Sequence, residues 1–286
     1  MMCYLKTFDP TVPMTYFLCV MSICVFTVNP YLQLCAMTGG IILLVCIKKK
    51  RSLKLLALCA LVMAVMALTN PLFVHRGMTE LFYVANQPYT LEALLYGLSL
   101  GCSISCLLIW FSIWSELITQ DEILAVFGKR MPKTALVISM ILGFIPKLHS
   151  KYISLLHAWY AGGGSRRKSL KRTALIFTAC LAYEAEQVID ISLSMKARGY
   201  GLKNRTYSHK RHFRKKDAAA LAFSLGLCIT CYILIGSSRL DYWYYPRLSP
   251  EGFDALGVGS YFLLCLSPMY FIIKEKLLWR YCPAAS

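Results

Sequence analysis

Few residues in this 286-residue chain have the types and spacing that chemistry requires. A membrane-embedded enzyme would need His, Asp or Glu gathered at one place. The five histidines are instead scattered as His75, His149, His157, His209 and His212. The "HKRH" that holds two of them lies in a basic loop and reads as solvated rather than metal-bound. "CITC" (Cys228 to Cys231) falls inside an apolar run, where neither redox nor metal chemistry is expected. No GxxxxGK[ST] phosphate loop is present, so any ATP chemistry would have to come from a partner. The sequence therefore predicts no catalytic residue, no metal site and no bound cofactor. What stands out is a single cation, Arg198, set between Ala197 and Gly199 in "SLSMKARGYG" at the end of a helix-like run.

The elements that must position Arg198 are set by composition. Hydrophobic residues make up 57% of the chain and the mean hydropathy is +0.54, values that belong to an integral membrane protein. The thirteen cysteines lie mostly within apolar runs and read as small core or lipid-facing residues, not as a disulfide framework. Lys6 is the only base before Lys48, so no cleavable signal peptide is expected.

Six apolar stretches, at 14–28, 31–47, 53–73, 91–115, 218–236 and 257–273, approach the roughly 20 residues that a spanning helix needs. The first two are short and separated only by Asn29 and Pro30, which predicts a tight helical hairpin, tilted or only partly inserted. Two further stretches, 134–148 and 173–195, are the ones that decide the topology. The second carries Glu184, Glu186 and Asp190, each costing about 2.5–3.5 kcal/mol at a helix centre, and reads as amphipathic. Loop charge gives an independent test. With six spans and both termini cytoplasmic, only Arg76, Arg239 and Arg247 lie outside; were the two ambiguous stretches also to span, the external bases would rise from three to ten.

The expected architecture is thus all-α and polytopic: membrane helices over 1–116, a cytoplasmic domain of long amphipathic helices over 117–217, and membrane helices over 218–286. The cytoplasmic block holds nineteen Lys and Arg against six acids. Positive-inside bias and contact with anionic lipid account for "KRHFRKK" (210 to 216), and the block lacks any fold that reads nucleic-acid bases.

Within the block, Val137, Ile141, Phe144, Leu148, Tyr152, Leu155 and Trp159 recur at helical spacing after Pro132. Pro146 should kink this helix, and Gly162 to Gly164 should end it. A second helix from about Thr173 places Phe177, Leu181, Val188, Ile191 and Met195 on one stripe, with the acids mostly off it. Gly199 stands where a helix-closing glycine is expected, and Arg198 beside the carbonyl end of the helix gains about 0.3–1 kcal/mol there. Capping alone leaves Ala197 unexplained. Small neighbours would let a partner approach so closely that the guanidinium could reach a carboxylate in a groove.

These residues resemble the transmembrane T component of energy-coupling factor (ECF) transporters, a family that includes the cobalt-type permease subunits. "SMKARGYG" is similar to that family's second Ala-Arg-Gly docking motif. "MPKTALVISMILGFIPKLHSKY" (131 to 152) is similar to its first long coupling helix, "FDP" (Phe8 to Pro10) to a pre-membrane segment, and "RKKDAAALAFSLG" to the start of the span after the coupling helices. The resemblance implies a scaffold that hydrolyses nothing itself. It would join two cytoplasmic ATPase subunits, which hold ATP and Mg, to a small substrate-binding membrane subunit that takes up a vitamin or metal ion. Ala197, Arg198 and Gly199 would dock one ATPase subunit.

Two departures matter. The family commonly has an arginine before Phe-Ile-Pro, where this chain has Gly143. Where its first Ala-Arg-Gly would fall, this chain reads "AGGG" from Ala161, with Gly162 next and Arg166 and Arg167 only later. Either a loop arginine substitutes there or the two docking sites are unequal. The competing reading is a self-sufficient carrier or channel, but the ionisable residues that should mark its path are missing, since Glu92 and Glu116 lie near helix ends. Gly97 and Gly101, one turn apart in "GLSLG", allow close helix approach, either within this chain or against the substrate-binding subunit.

Overall fold

A computed structural model describes residues 9–48, 52–74, 77–84, 87–163, 169–202, 214–246 and 253–281. Among them, nine helices follow in chain order: α1 (Thr11–Phe26), α2 (Pro30–Lys48), α3 (Ser52–Phe73), α4 (Leu91–Leu117), α5 (Gln120–Arg130), α6 (Pro132–Ala161), α7 (Leu170–Ala197), α8 (Lys215–Gly236) and α9 (Ala255–Tyr281). The chain is an all-α polytopic membrane protein with one small exception. Between α3 and α4, β1 (Glu80–Val84) and β2 (Gln87–Thr90) form an antiparallel hairpin that pairs Phe82 with Tyr89 and Val84 with Gln87.

The chain divides into two compact units, residues 1–122 with 211–286, and residues 123–210. In the first unit, α4 packs against α1, α2 and α3, most extensively against α3; α9 packs against α2 and α8, and α8 against α1. These contacts close a ring of α1, α8, α9, α2 and α4, with α3 on α4. The core is apolar and well filled: Val20, Ile23, Leu44, Ile109, Ile113 and Trp110 are fully buried, and Trp110 Nε1 donates to the Ala36 carbonyl at 3.2 Å. Small residues permit the close helix approaches. A Cβ on Gly39 would lie 2.8 Å from Cys265 Cβ, and one on Gly97 would lie 2.6 Å from the Met66 carbonyl oxygen.

Four of the six expected spans, α2, α3, α4 and α8, are helices long and apolar enough to cross a bilayer. The stretch at 14–28 is the shorter helix α1, and the one at 257–273 lies in α9, whose searched part, Ala255–Tyr270, is also short. The helix α6 meets the same length and apolarity requirement, as the least apolar of the five. The expected hairpin of α1 on α2 is corrected. The two helices make few contacts with each other, because α1 turns to α8 and α4 while α2 turns to α4 and α9. Asn29 holds the turn from outside the pair. Its Oδ1 accepts the Tyr31 amide at 2.9 Å and its Nδ2 donates to the Leu240 carbonyl at 2.7 Å, so the α8–α9 connection helps to secure the start of α2.

In the second unit, α6 and α7 form an antiparallel pair. Arg172 Nη1 donates to Tyr160 Oη at 3.3 Å near the connecting loop, Cys180 Sγ lies 3.7 Å from the Leu148 carbonyl, and Phe144 and Ile191 line one groove further along. The helix α6 begins with Pro132 at its first turn and continues through Pro146 to Ala161. From Phe144 onward its expected stripe is half covered, whereas Val137 and Ile141 stay exposed. The stripe expected on α7 holds at Ile191 and Met195, which are half-buried, and is corrected before them. Ile176 and Cys180 are buried, while Phe177, Leu181 and Val188 are exposed. Glu184 and Gln187 lie on the packed side, lining a groove of about 260 Å³ with Lys147 and Lys151. The packed line therefore runs through residues 176, 180, 184, 187 and 191, offset by about one residue from the expected line in its first half and joining it at Ile191.

Candidate functional site

The end of α7 is built by its own backbone. The Arg198 amide donates to the Ser194 carbonyl at 3.1 Å, the Gly199 amide to Lys196 at 3.0 Å and the Tyr200 amide to Met195 at 3.0 Å. The last two bonds are the paired closure of a Schellman cap, which requires a left-handed residue just past the helix. Gly199 supplies it at φ +83. Arg198 itself stands at φ −82, ψ 9 as the C-cap residue. Ala197, Arg198 and Tyr200 are exposed, and no described residue forms an ion pair or side-chain hydrogen bond with Arg198. The guanidinium is therefore fixed at its root by the cap and open at its tip, next to the partly negative end of the helix. Such a group can pair with a carboxylate through two parallel hydrogen bonds at little reorganisation cost.

The end of α6 carries the other predicted docking residues. Ala161 and Gly162 are exposed, and the helix closes with Gly162 at φ −78, ψ 14 and Gly163 at φ +78. Arg166 and Arg167 lie outside the described residues. Because α6 and α7 run antiparallel, their closed ends sit at opposite ends of the pair. A helix of 28 residues at about 1.5 Å per residue separates them by about 40 Å.

Gly97 and Gly101 are buried against α3, where added Cβ atoms would come within 2.6 Å of the Met66 carbonyl and 2.8 Å of Met63 Cα. Of the two uses considered for them, packing within the chain is the one that the geometry displays. Gly143 has nothing within 4 Å of where a Cβ would be.

Three acidic residues of these helices have local partners among the described residues. Glu92, buried at the start of α4, accepts the Met78 and Thr79 amides and the Thr79 hydroxyl, the last at 2.7 Å. Glu116 pairs with Lys48 at 3.1 Å, and Lys48 also reaches Ser112 Oγ at 3.0 Å. Both carboxylates thus tie helix ends and loops. Asp217, at the start of α8, accepts the Arg214 amide at 2.9 Å, a first-turn cap. At the α8–α9 connection, the Tyr244 phenol donates to the Val28 carbonyl at 3.0 Å. Burial pushes its pKa up to about 12. Tyr96 and Tyr242 pack edge-on against its ring, and Tyr245 packs tilted against Tyr96. Among the described residues, no three or more His, Cys, Asp or Glu converge as metal ligands.

Sequence reasoning missed Gly163, whose role depends on a positive φ, and the Lys48–Glu116 latch, whose members lie 68 positions apart in sequence. It also missed Asn29 and Tyr244 as ties between the α1–α2 turn and the α8–α9 connection. No local pattern encodes contacts that distant.

No protein-family model matches the chain. Among curated proteins, it is 31% identical over 106 residues to the energy-coupling factor transporter transmembrane protein EcfT of Lactobacillus helveticus (strain DPC 4571). The match covers 35% of this chain and 38% of that protein, so it spans well under half of the relative's length.

Proposed function

We propose that this chain is the membrane scaffold of an ECF-type importer of the cobalt-type permease kind, carrying no catalytic residue of its own. It couples ATP hydrolysis by two cytoplasmic ATPase subunits, which hold the ATP and Mg, to a membrane subunit that binds a vitamin or metal ion. In this reading the protein sits in the cell membrane with both termini cytoplasmic. The α6–α7 pair, α6 included, lies on the cytoplasmic side, where nineteen Lys and Arg of residues 117–217 gather. The helix pair acts as a rigid lever. Closure of the ATPase subunits on ATP displaces its ends, and the displacement reorients the substrate-binding subunit.

The observation that carries this reading is the end of α7: an exposed arginine, with no side-chain partner among the described residues, on a closed helix cap between two small residues. The similarity to a named ECF transmembrane protein supports it. Truncating one partner of a desolvated, hydrogen-bonded charge pair costs about 2–5 kcal/mol, roughly thirtyfold or more in affinity. Arg198→Glu should therefore strip ATPase from the purified complex and stop uptake, while the chain still inserts at wild-type level. Unchanged ATPase recovery and uptake in that variant would reject the docking role.

A further inference from the structure

The groove of about 260 Å³ between α6 and α7 sets Lys147, Lys151, Ser150 and Ser154 of α6 against Glu184 and Gln187 of α7. Opposite charges line one hollow, yet among the described residues neither lysine forms an ion pair with Glu184 or with any other acid. Lys151 instead holds its ammonium 3.5 Å from the centre of the Tyr183 ring, and Lys147 lies 6.0 Å from that of Phe144. An ammonium over an aromatic face keeps N–H groups for further acceptors. The two serines do not compete as donors, because their hydroxyls already donate to the Lys147 and Ser150 carbonyls at 2.9 and 3.0 Å. The groove therefore offers two ammonium donors on the α6 wall and a carboxylate acceptor on the α7 wall, with open space between them.

A ligand that answers both walls carries an anion and a cation close together. Phosphate suits the lysines, and a primary ammonium suits Glu184. A purely anionic group would meet the carboxylate as a like charge.

The surroundings of the groove indicate the source of such a ligand. Leu181, Glu184 and Val188 share one face of α7 at spacings of three and four, and both apolar members are nearly half exposed. On α6, Ile141 and Ile145 are exposed one turn apart, and that helix is apolar and long enough to cross a bilayer. Helices of this kind lie in the membrane interface, with cations at the headgroups and apolar side chains among the acyl chains.

We propose that the α6–α7 groove is a lipid site that takes the headgroup of phosphatidylethanolamine. Lys147 and Lys151 bind the phosphate, Glu184 binds the ammonium, and the acyl chains run along Leu181 and Val188. A lipid held in this way bridges the two helices and fixes the pair against the bilayer. The site rests on the reading that places this pair at the cytoplasmic membrane surface.

The test is native mass spectrometry of the full-length, detergent-purified chain, titrated with phosphatidylethanolamine, phosphatidylcholine or phosphatidylglycerol of matched acyl chains. Wild type should retain phosphatidylethanolamine at least threefold more than either other lipid, since choline has no N–H for Glu184 and glycerol has no cation. Lys147→Ala/Lys151→Ala should lower that retention at least threefold. Glu184→Gln should invert the preference towards phosphatidylglycerol, whereas Glu186→Gln, exposed and outside the groove, should match wild type. Equal retention of the three lipids by wild type, or an unchanged preference in Glu184→Gln, overturns the proposal. Displacement of the lipid by free phosphoethanolamine at equal concentration also overturns it, because the ligand would then be a soluble one. Failure of ATPase subunits to copurify would reject the scaffold reading while leaving these retentions as they are, so the two can fail separately.

Discussion

At the scale of single residues, the account rests on what each cap position is asked to do. Gly199 holds a left-handed backbone at φ +83, and a Cβ there would also press to 3.0 Å from Leu202 Cδ1. Gly199→Ala should therefore cost about 1–2 kcal/mol of local stability. Hydrogen–deuterium exchange of the amides at 198–200 should speed up accordingly, whereas Gly162→Ala, at φ −78, should leave the end of α6 no faster than wild type. Equal acceleration in both variants would contradict the assignment of the cap positions. The α7 cap was legible in the sequence because arginine followed by glycine at the end of an apolar-periodic run has a local meaning. The α6 cap was not, since three consecutive glycines leave open which one closes the helix, and only the dihedral angles choose Gly163.

At the scale of elements, the long apolar runs announced α2, α3, α4 and α8, because spanning length and low charge are properties of a segment by itself. Which face a helix packs is a property of its neighbours. The helix α7 carries Ile176, Phe177, Leu181, Val188, Ile189 and Leu193 around most of its circumference, so periodicity alone did not select the line through Ile176 and Cys180. The β1–β2 hairpin escaped for a similar reason: its short strands lie between two spans, and the loop is held by Glu92, whose position near a helix end had marked it only as non-central. The α3–α4 pair gives the sharpest test at this scale. A methyl at Gly97 would collide with the Met66 carbonyl and with Asn70 Cβ at 2.7 Å, displacing the Asn70 Nδ2 bond to the Ala93 carbonyl, now 2.6 Å. Gly97→Ala should thus destabilise the protein by about 1–3 kcal/mol, visible as a lower melting temperature in detergent. A melting temperature equal to wild type would show that this approach is looser than described.

At the scale of the whole molecule, the proposed sides of the membrane rest on charge. The helix pair α6–α7, with its basic connection, is proposed to face the cytoplasm even though α6 alone is long and apolar enough to cross. Ser169 is exposed just before α7, so Ser169→Cys should react with a membrane-impermeant thiol reagent only after the inner face is opened to it; labelling of intact cells from outside would place the connection on the wrong side. The central claim is that the chain is a scaffold and not a transporter by itself. Mild-detergent purification of the tagged chain from its own membranes, followed by mass spectrometry of what accompanies it, tests this most directly. The account predicts two ATPase subunits and one small membrane protein per scaffold. Recovery of the chain alone, active in transport when reconstituted into vesicles, would contradict it.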